Sequence, residues 1–370
     1  MLIFRLFHGI IPKNKIEREY KVDKNVSLVL YKKRKDFYIV AAIVLLILVF
    51  LVGIQLFFKY VGKKLNIIEY TIVDESNIGL RESIDKNLKD FENILLVGTD
   101  LEVGDSSQYR TADYILLISI NKEKKLNNLI MLDKDLYVTI HAEEGQERLD
   151  ILSNAYRYGG IENLLNAVNS NLDLNVKKYF EFDLKNIREI FDMLGGLNVE
   201  IGDDELLVIN NFIKDTESSF INLSGNYLLN GDQLLAYMKT NSYIKEGIKK
   251  INKPTFITEC MIEKYDKEDF DFKNNIMNIF LRNSKTNLSK FEVLKLFLNR
   301  HKFSMEKVII FPYYELDLFE DGRILSLPKT LEKNVIKLHK DIFYERYYGV
   351  STPVKNVSEF LYQNFIDYLK

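Results

Sequence analysis

The sequence predicts an α/β protein, a three-layer αβα sandwich with a central mixed sheet, preceded by a single transmembrane helix. Three observations support this fold class. A long apolar run lies near the N-terminus, segments of strand-like and helix-like periodicity alternate after residue 91, and a polar turn joins two apolar strands. Alternating strands and helices favour a sheet covered on both faces, and the hairpin adds an antiparallel pair to it.

The apolar run covers Phe37–Phe58 and contains no charged residue. Its 22 residues, at ~1.5 Å each, can cross about 30 Å of hydrocarbon. The cluster Lys32-Lys33-Arg34-Lys35 precedes the run and a weaker one follows it, so the positive-inside rule predicts a cytoplasmic N-terminus and an extracellular remainder. The alternatives are a buried core helix and a cleaved signal peptide. The run is apolar on all sides and no small-residue cleavage site follows it, which favours a retained anchor.

The charge distribution follows the same division. Residues 1–36 carry ten Lys or Arg and four Asp or Glu, about +6 in a chain of net charge -2. This short basic tail is too small for a helix-turn-helix domain, and no global field attracts nucleic acid, so we expect no nucleic-acid partner. The predicted organisation is a cytoplasmic tail, a membrane span, a stalk, a folded domain and a C-terminal tail, over 1–36, 37–58, 59–90, 91–343 and 344–370.

Several chemical classes are excluded by composition and motif. The single cysteine, Cys260, cannot form an intrachain disulfide or a zinc site built on two cysteines. Four scattered histidines argue against a histidine-rich metal site. The sequence also contains no P-loop, no GxSxG and no HExxH.

The predicted elements follow in chain order. Apolar runs and alternating patterns predict strands at 93–98, 113–120, 126–132, 136–140, 176–183, 197–201 and 307–313. Helical spacing predicts helices at 81–92, 161–172, 184–196, 289–300 and 331–343. Gly195 and Gly196 supply a left-handed end to the 184–196 helix. Another helix begins in "LNGDQLLAYMK", with Asn230 as N-cap and Gln233 three residues later.

Charged residues stand where the predicted strands end. They are Asp100, Arg110, Asp113, Lys134 and Asp135. Strand ends meet at the ligand crevice of an open α/β sheet, where carboxylates could hold Mg2+ and basic groups could hold phosphates. Each charge taken alone is more typical of a solvated loop, so spacing by itself does not establish a site.

A family resemblance narrows the choice. From about Phe91 to about Phe343, the ordered set "NILLVGTD", "RTADYILLISINKEKK", "IMLDKDLYVTI", "NAYRYGGIENLLNAVN", "FDLKNIREIFDMLGGLNVEI" and "LNGDQLLAYMK" resembles the LytR-CpsA-Psr family. Members are membrane-anchored phosphotransferases of mainly Gram-positive envelopes. The resemblance implies transfer of a teichoic acid- or capsule-like glycopolymer from an undecaprenyl (pyro)phosphate carrier to peptidoglycan. It also implies an apolar lipid pocket with an arginine-rich mouth that contains Mg2+.

The resemblance assigns roles to individual residues. It implies metal binding by Asp100 and Asp113 and catalysis by Asp113 and Arg110. Phosphate binding falls on Arg110, Lys134, Arg148, Lys239 and Lys249. The family's arginines have become lysines at 134, 239 and 249, Asn241 is neutral, and Arg148 is displaced from the usual basic position. Lysine cannot grip a phosphate in the planar, bidentate manner of arginine, so the phosphate clamp is weakened.

Two hypotheses therefore stay open. The chain is an active extracellular transferase with a lysine-modified site, or a catalytically degenerate relative that binds polyprenyl phosphate or wall polymer as a scaffold. A role as a transcriptional attenuator conflicts with a folded domain outside the membrane. At the residue level, Asp100 could cap a turn, Asp113 could satisfy backbone N–H groups, and the lysines after residue 238 could form a solvated face.

Overall fold

A computed structural model describes residues 59–60, 62–101, 110–142, 146–214, 216–239, 253–299, 304–320 and 323–369. The chain divides into two units, 1–62 and 63–370. Within the described ranges no helix has both the length and the apolar character that crossing a membrane requires. The predicted span over 37–58 lies outside those ranges.

Thirteen strands are found in the described part of the chain. They are β1 (Glu69–Tyr70), β2 (Phe91–Leu101), β3 (Arg110–Asn121), β4 (Leu126–Leu132), β5 (Tyr137–His141), β6 (Glu147–Ile151), β7 (Lys178–Asp183), β8 (Leu197–Ile201), β9 (Gly225–Leu229), β10 (Lys285–Thr286), β11 (Ser304–Phe311), β12 (Glu315–Glu320) and β13 (Arg323–Pro328).

Ten helices with fully described bounds accompany these strands. They are α1 (Glu82–Asn87), α2 (Leu152–Leu172), α3 (Leu184–Met193), α4 (Asp203–Ile213), α5 (Gly231–Lys239), α6 (Lys253–Asp266), α7 (Phe270–Leu281), α8 (Lys290–Asn299), α9 (Leu331–Ile342) and α10 (Thr352–Leu369).

Seven strands form the central sheet, in the order β1-β10-β7-β2-β3-β4-β11. The sheet is mixed, as the sequence predicts. β2 pairs in parallel with β7 and β11 pairs in parallel with β4, whereas β2, β3 and β4 are antiparallel neighbours. Consequently the carboxyl ends of β2, β4, β7 and β11 and the amino end of β3 lie along one edge of the sheet.

Two apolar cores cover the two faces of this sheet. On one face α2, α9 and α10 pack against strand residues such as Leu95, Ile115 and Ile130. On the other face α3 to α7 pack against Tyr114, Phe182 and their neighbours. This confirms the predicted layering of helix, sheet and helix. Period-two alternation in β2, β3 and β7 sends successive side chains into opposite cores.

Local signals fix several element ends as predicted. The backbone N–H of Gln233 donates to Oδ1 of Asn230 at 3.0 Å, and the N–H of Asn230 donates to Oε1 of Gln233 at 3.0 Å. This reciprocal pair is a capping box that starts α5. After α3, Gly195 and Gly196 adopt φ of 76° and 66°. That left-handed backbone turns the chain into β8.

Other element bounds differ from the sequence prediction. The helix predicted at 81–92 is wrong over its second half, because α1 ends at Asn87 and Phe91 begins β2 by pairing with Asn121. The helix predicted at 161–172 forms the second part of α2, which begins at Leu152 and breaks at Gly159 and Gly160. In the first case strand pairing overrides the helical pattern of the sequence. In the second case the helix continues beyond the residues that the pattern indicates.

Both flanks of the predicted 91–343 domain attach to it through one buried carboxylate. Asp173, at the end of α2, has no exposed surface and binds the Arg81 guanidinium. Its Oδ2 accepts hydrogen bonds from the Tyr348 hydroxyl and the Ser351 N–H, each at 2.9 Å, and Oδ1 accepts one from the Ser351 hydroxyl at 2.6 Å. Burial and Asp173 together raise the pKa of Tyr348. Residues from the segments 59–90 and 344–370 thus bind the same carboxylate, that of Asp173.

Candidate functional site

Polar side chains gather at the sheet edge where β2, β4 and β7 end and β3 begins. Strand pairing sets Thr99 beside Asp183, Asp100 beside Thr111, and Leu101 beside Arg110. A bulge between Gly98 and Thr99 shifts the register of β2 against β3 at this point. The sequence expectation that these strand ends converge is therefore met by the topology of the sheet.

Arg110 is held by an acid that the sequence analysis did not select. Its Nη2 donates to Oδ2 of Asp183 at 2.7 Å, with side chains 30% and 11% exposed. Oδ1 of Asp183 accepts the Lys185 N–H at 2.9 Å and so caps α3. The Nε of Arg110 is buried and has no hydrogen-bond partner among the described residues. One donor of the guanidinium is therefore unsatisfied among the described residues.

A second buried acid lies behind Arg110. Glu181 is 3% exposed, and its Oε1 accepts hydrogen bonds from the Tyr156 hydroxyl at 2.8 Å and the Thr99 hydroxyl at 3.4 Å. Burial and Glu181 raise the pKa of Tyr156, whereas the nearby positive charge of Arg110 opposes that rise. Glu181 and Asp183 were hidden from sequence analysis, because an acid within a strand and an acid before a helix both have ordinary structural uses. Two acids at alternate positions of a buried strand were the available signal.

Lys134 lies in an acidic cluster at the end of β4. Its Nζ donates to both carboxylate oxygens of Asp135, at 2.7 and 2.9 Å. Burial opposes the charge on Lys134, but Asp135, Asp113 and Asp133 outweigh burial and raise its pKa. Lys134 and Asp113, assigned separately from the sequence, are therefore electrostatic neighbours at this edge. The lysine stays protonated at neutral pH and balances part of the cluster's negative charge.

The remaining assigned cations give a different picture. The Arg148 guanidinium binds Asp150 and the Tyr158 hydroxyl and lies 4.6 Å from the centre of the Tyr158 ring. Arg148 pairs with Ile140 across the β5–β6 hairpin, which is separate from the central sheet. Lys239 ends α5. The side chain of Lys239 and the whole of Lys249 lie outside the described residues.

An apolar cavity of about 440 Å³ lies on the face of the sheet that α3 to α7 cover. Helices α3, α5, α6 and α7 enclose it together with the sheet. Its lining is Leu96, Tyr114, Phe182, Leu184, Ile187, Ile190, Phe191, Leu194, Met238, Met261, Tyr265, Ile276, Met277 and Phe280. Tyr114 directly follows Asp113, and Leu184 directly follows Asp183. Two lining residues of the cavity are therefore sequence neighbours of acids at the polar sheet edge.

The predicted metal ligands form a small set. Asp100 lies on β2 opposite Thr111, and Asp113 lies two residues further along β3. The Thr111 hydroxyl donates to Oδ1 of Asp113 at 3.4 Å. Where the chain is described, no three His, Cys, Asp or Glu side chains are arranged to hold a metal ion. Two carboxylates on adjacent strands suit an ion that takes its other ligands from water and a phosphate, as Mg2+ commonly does.

The fold has a counterpart among solved structures. The crystal structure of protein gbs0355 from Streptococcus agalactiae superposes with a TM-score of 0.54 at 19% identity, covering 74% of this chain and 93% of that one. At this identity the likeness concerns the fold alone.

Curated relatives match a shorter part of the chain. The polyisoprenyl-teichoic acid–peptidoglycan teichoic acid transferase TagT of Bacillus subtilis is 23% identical over 211 residues, 56% of this chain and 64% of the relative. The transferase TagU of Enterococcus faecalis, which has the same descriptive name, is 24% identical over 208 residues, 56% and 63%. These alignments span just under two thirds of each relative's own length. Residues 58–337 match the model of the LytR_cpsA_psr family, well over half of the sequence, and the chain belongs to that family.

Proposed function

We propose that this chain is a membrane-anchored, extracellular transferase that moves a glycopolymer from an undecaprenyl (pyro)phosphate carrier to peptidoglycan. The observation that carries the proposal is an apolar cavity together with a polar edge that holds Arg110 and Lys134, linked along the chain by Asp113–Tyr114 and Asp183–Leu184. An amphiphile with an isoprenoid chain and a phosphate head has that same division. Family membership and the names of TagT and TagU support the same substrate class.

The side chains suggest how such a transfer would proceed. The isoprenoid chain lies in the cavity, and the phosphates lie at the edge, where the guanidinium of Arg110 and the ammonium of Lys134 neutralise their charge. A peptidoglycan hydroxyl attacks the phosphorus that carries the sugar. The new O–P bond forms as the bond to the lipid phosphate breaks, and Asp113 accepts the hydroxyl proton. Such a reaction depends on positioning and charge neutralisation more than on a side-chain nucleophile.

Mg2+ forms part of the proposal. Asp100 and Asp113 would hold it, with substrate phosphate and water as the other ligands. When bound, the ion supplies charge neutralisation at the phosphate oxygens. The predicted anchor at 37–58 would keep the folded unit on the extracellular side, close to a lipid substrate.

A second candidate function rests on the engagement of the cations. Arg110 is bound by Asp183, Lys134 by both oxygens of Asp135, and Arg148 by Asp150. Each of these cations is thus already partly neutralised, which leaves less positive charge to stabilise a transition state at phosphorus. Lysine at 134 also lacks the bidentate grip of arginine. These contacts favour a protein that binds polyprenyl phosphate or wall polymer as a scaffold, without transfer.

One experiment separates the two candidates. The full chain in detergent is incubated with a short polyprenyl-pyrophosphate glycan, peptidoglycan oligomers and Mg2+, and both lipid binding and polymer transfer are measured. For a transferase we expect Asp113→Asn to abolish transfer and retain lipid binding. Asp266→Asn, at the exposed end of α6, removes an equivalent charge far from the edge and serves as control.

The possible results lead to different conclusions. Lipid binding without transfer in the natural chain supports the scaffold. Absence of binding to both the lipid and the glycan contradicts both candidates. Met277→Trp adds bulk to the cavity wall and should reduce lipid binding in either case. Unchanged binding in this variant would show that the lipid lies elsewhere.

A further inference from the structure

A polar groove of about 680 Å³ lies at the sheet edge opposite the candidate site. The starts of β2 and β7, the end of β3, and helices α1 and α8 surround it. Its lining is Glu82, Asp85, Lys86, Lys89, Phe91, Glu92, Asn93, Lys122, Asn175, Lys177, Lys178 and Lys295. Along β2, Asn93 and Asp100 are seven residues apart, about 23 Å at ~3.3 Å per residue. The groove is therefore separate from the candidate site.

The groove carries an excess of positive charge. Six lysines and three acids line it. Lys177 is bound to Asp85 at 2.8 Å and Lys178 to Glu292, so these two are compensated. Lys86, Lys89 and Lys295 form no ion pair with any residue that the structure describes. Because Lys86 lies on α1, Lys89 on the turn after it and Lys295 on α8, and all three are exposed, an anion in the groove can meet several ammonium groups together.

The floor of the groove is built from buried amides. Asn93 is 4% exposed, and its Nδ2 donates to Oδ1 of Asn175 at 2.7 Å. Nδ2 of Asn175 in turn donates to Oδ1 of Asp85 at 3.2 Å. The chain of donors leaves Oδ1 of Asn93 buried and with no donor in the described part of the chain. Buried acceptors are normally satisfied, so this atom calls for a hydroxyl or a water molecule.

We propose that this groove binds a segment of an anionic, hydroxyl-bearing polymer, with its phosphates on the free lysines and a hydroxyl on the amide floor. A membrane surface fits less well, because Phe91 is the one aromatic or aliphatic residue in the lining and is itself half-buried. A concave floor is also out of reach for a flat layer of headgroups. The identity of the polymer rests on the proposed function, since the carrier-linked glycopolymer would supply such a chain. Its binding here does not depend on transfer.

The test uses the full chain in detergent and a poly(glycerol phosphate) oligomer as probe. The triple variant Lys86→Gln, Lys89→Gln and Lys295→Gln should bind at least about tenfold more weakly at low salt, and the natural chain should lose affinity as salt increases. The matched control changes three exposed lysines of α9 and α10 to glutamine. These are Lys333, Lys340 and Lys355. We expect the control to change affinity less than twofold.

A gain of affinity provides a result that misfolding cannot imitate. Glu92→Gln removes an acid from the groove and should strengthen binding of the oligomer about two- to threefold, as the charge excess grows. Neutral dextran and phosphatidylglycerol vesicles are measured in parallel. The proposal is overturned if the triple variant binds the oligomer as tightly as the natural chain, or if it loses vesicle binding and keeps oligomer binding.

The two proposals fail in different ways. If oligomer binding depends on Lys86, Lys89 and Lys295 but no transfer occurs, the transferase proposal fails and the groove proposal stands. If transfer from the polyprenyl carrier occurs but oligomer binding does not depend on these lysines, the groove proposal fails and the transferase proposal stands.

Discussion

Asp183 offers the sharpest test of the candidate site, because its two oxygens serve two different structures. Oδ1 caps α3, whose residues line the apolar cavity, and Oδ2 holds Arg110 at the polar edge. Asp183→Asn keeps a good N-cap residue and removes the charge that holds Arg110. Asp183→Ala removes both. Comparing the two variants separates the ion pair from the cap.

The expected magnitudes follow from these contacts. A hydrogen bond between charged groups contributes about 1.5–3 kcal/mol, and the neutral amide recovers part of it, so Asp183→Asn should reduce the free energy of unfolding by about 1–2 kcal/mol. Loss of an N-cap costs a further ~1 kcal/mol, so Asp183→Ala should reduce it by about 2–3 kcal/mol. In both variants Arg110 is no longer fixed at the edge. Affinity for a polyprenyl phosphate should fall about tenfold, which corresponds to ~1.4 kcal/mol.

Guanidinium unfolding and titration with octaprenyl phosphate measure the two effects on the full chain. Asp269→Ala is the matched control, since Asp269 caps α7 through the Phe272 N–H at 2.8 Å and is exposed to solvent. It should lower stability by about 1 kcal/mol and leave lipid affinity unchanged. If Asp183→Asn matches the natural chain in both measurements, Asp183 is only a cap and the positioning of Arg110 is wrong.

Three further predictions concern other parts of the molecule. Lys134→Gln removes the cation from an acidic cluster and should lower affinity for pyrophosphate about tenfold by calorimetry, whereas Lys134→Arg should retain or improve it; equal losses in both variants would contradict a charge-based role. Gly196→Ala places a Cβ 2.2 Å from a backbone oxygen at φ 66° and should lower the free energy of unfolding by denaturant by more than ~2 kcal/mol. Gly195→Ala, at φ 76° in open space, should lower it by about 1 kcal/mol. Similar values for both variants would show that the backbone at Gly196 relaxes. Lys177 lowers the pKa of Asp85 below 3.8 by donating a hydrogen bond. Asp85→Asn should therefore reduce the free energy of unfolding at pH 7, by at most about 1 kcal/mol for this partly exposed pair, and the reduction should vanish as pH falls through the folded-state pKa of Asp85. A difference in stability that persists at pH 2 would refute this linkage.

The sequence predicted those parts of the fold that depend on neighbouring residues. Asn230 and Gln233 form the expected cap because both partners lie within one helical turn. Gly195 and Gly196 end α3 because left-handed backbone is a local property. The strands of the central hairpin were likewise predicted from periodicity alone. Such signals need no knowledge of the rest of the chain.

Long-range pairing decided what the sequence could not predict. Arg110 and Asp183 are 73 positions apart, and only the parallel pairing of β2 with β7 brings them together. Arg148 pairs with Asp150, two residues along the same strand, and its assignment as a phosphate ligand stays a prediction. The weak amphipathic patterns of α4 and α6 gave no clear prediction, because their packing partners come from distant segments. The roles of Lys239 and Lys249 remain sequence predictions.

The shared carboxylate of Asp173 has a consequence for how the ends of the folded unit depend on each other. Arg81 and the Tyr348–Ser351 segment are far apart in sequence, yet each helps to balance or solvate the same buried charge. Removing one contributor leaves that charge less compensated and weakens the reason for the other to stay bound. A protease that cuts near residue 350 should therefore expose new cleavage sites around residue 80. The Arg81 segment and the Tyr348–Ser351 segment should therefore be released from the unit cooperatively.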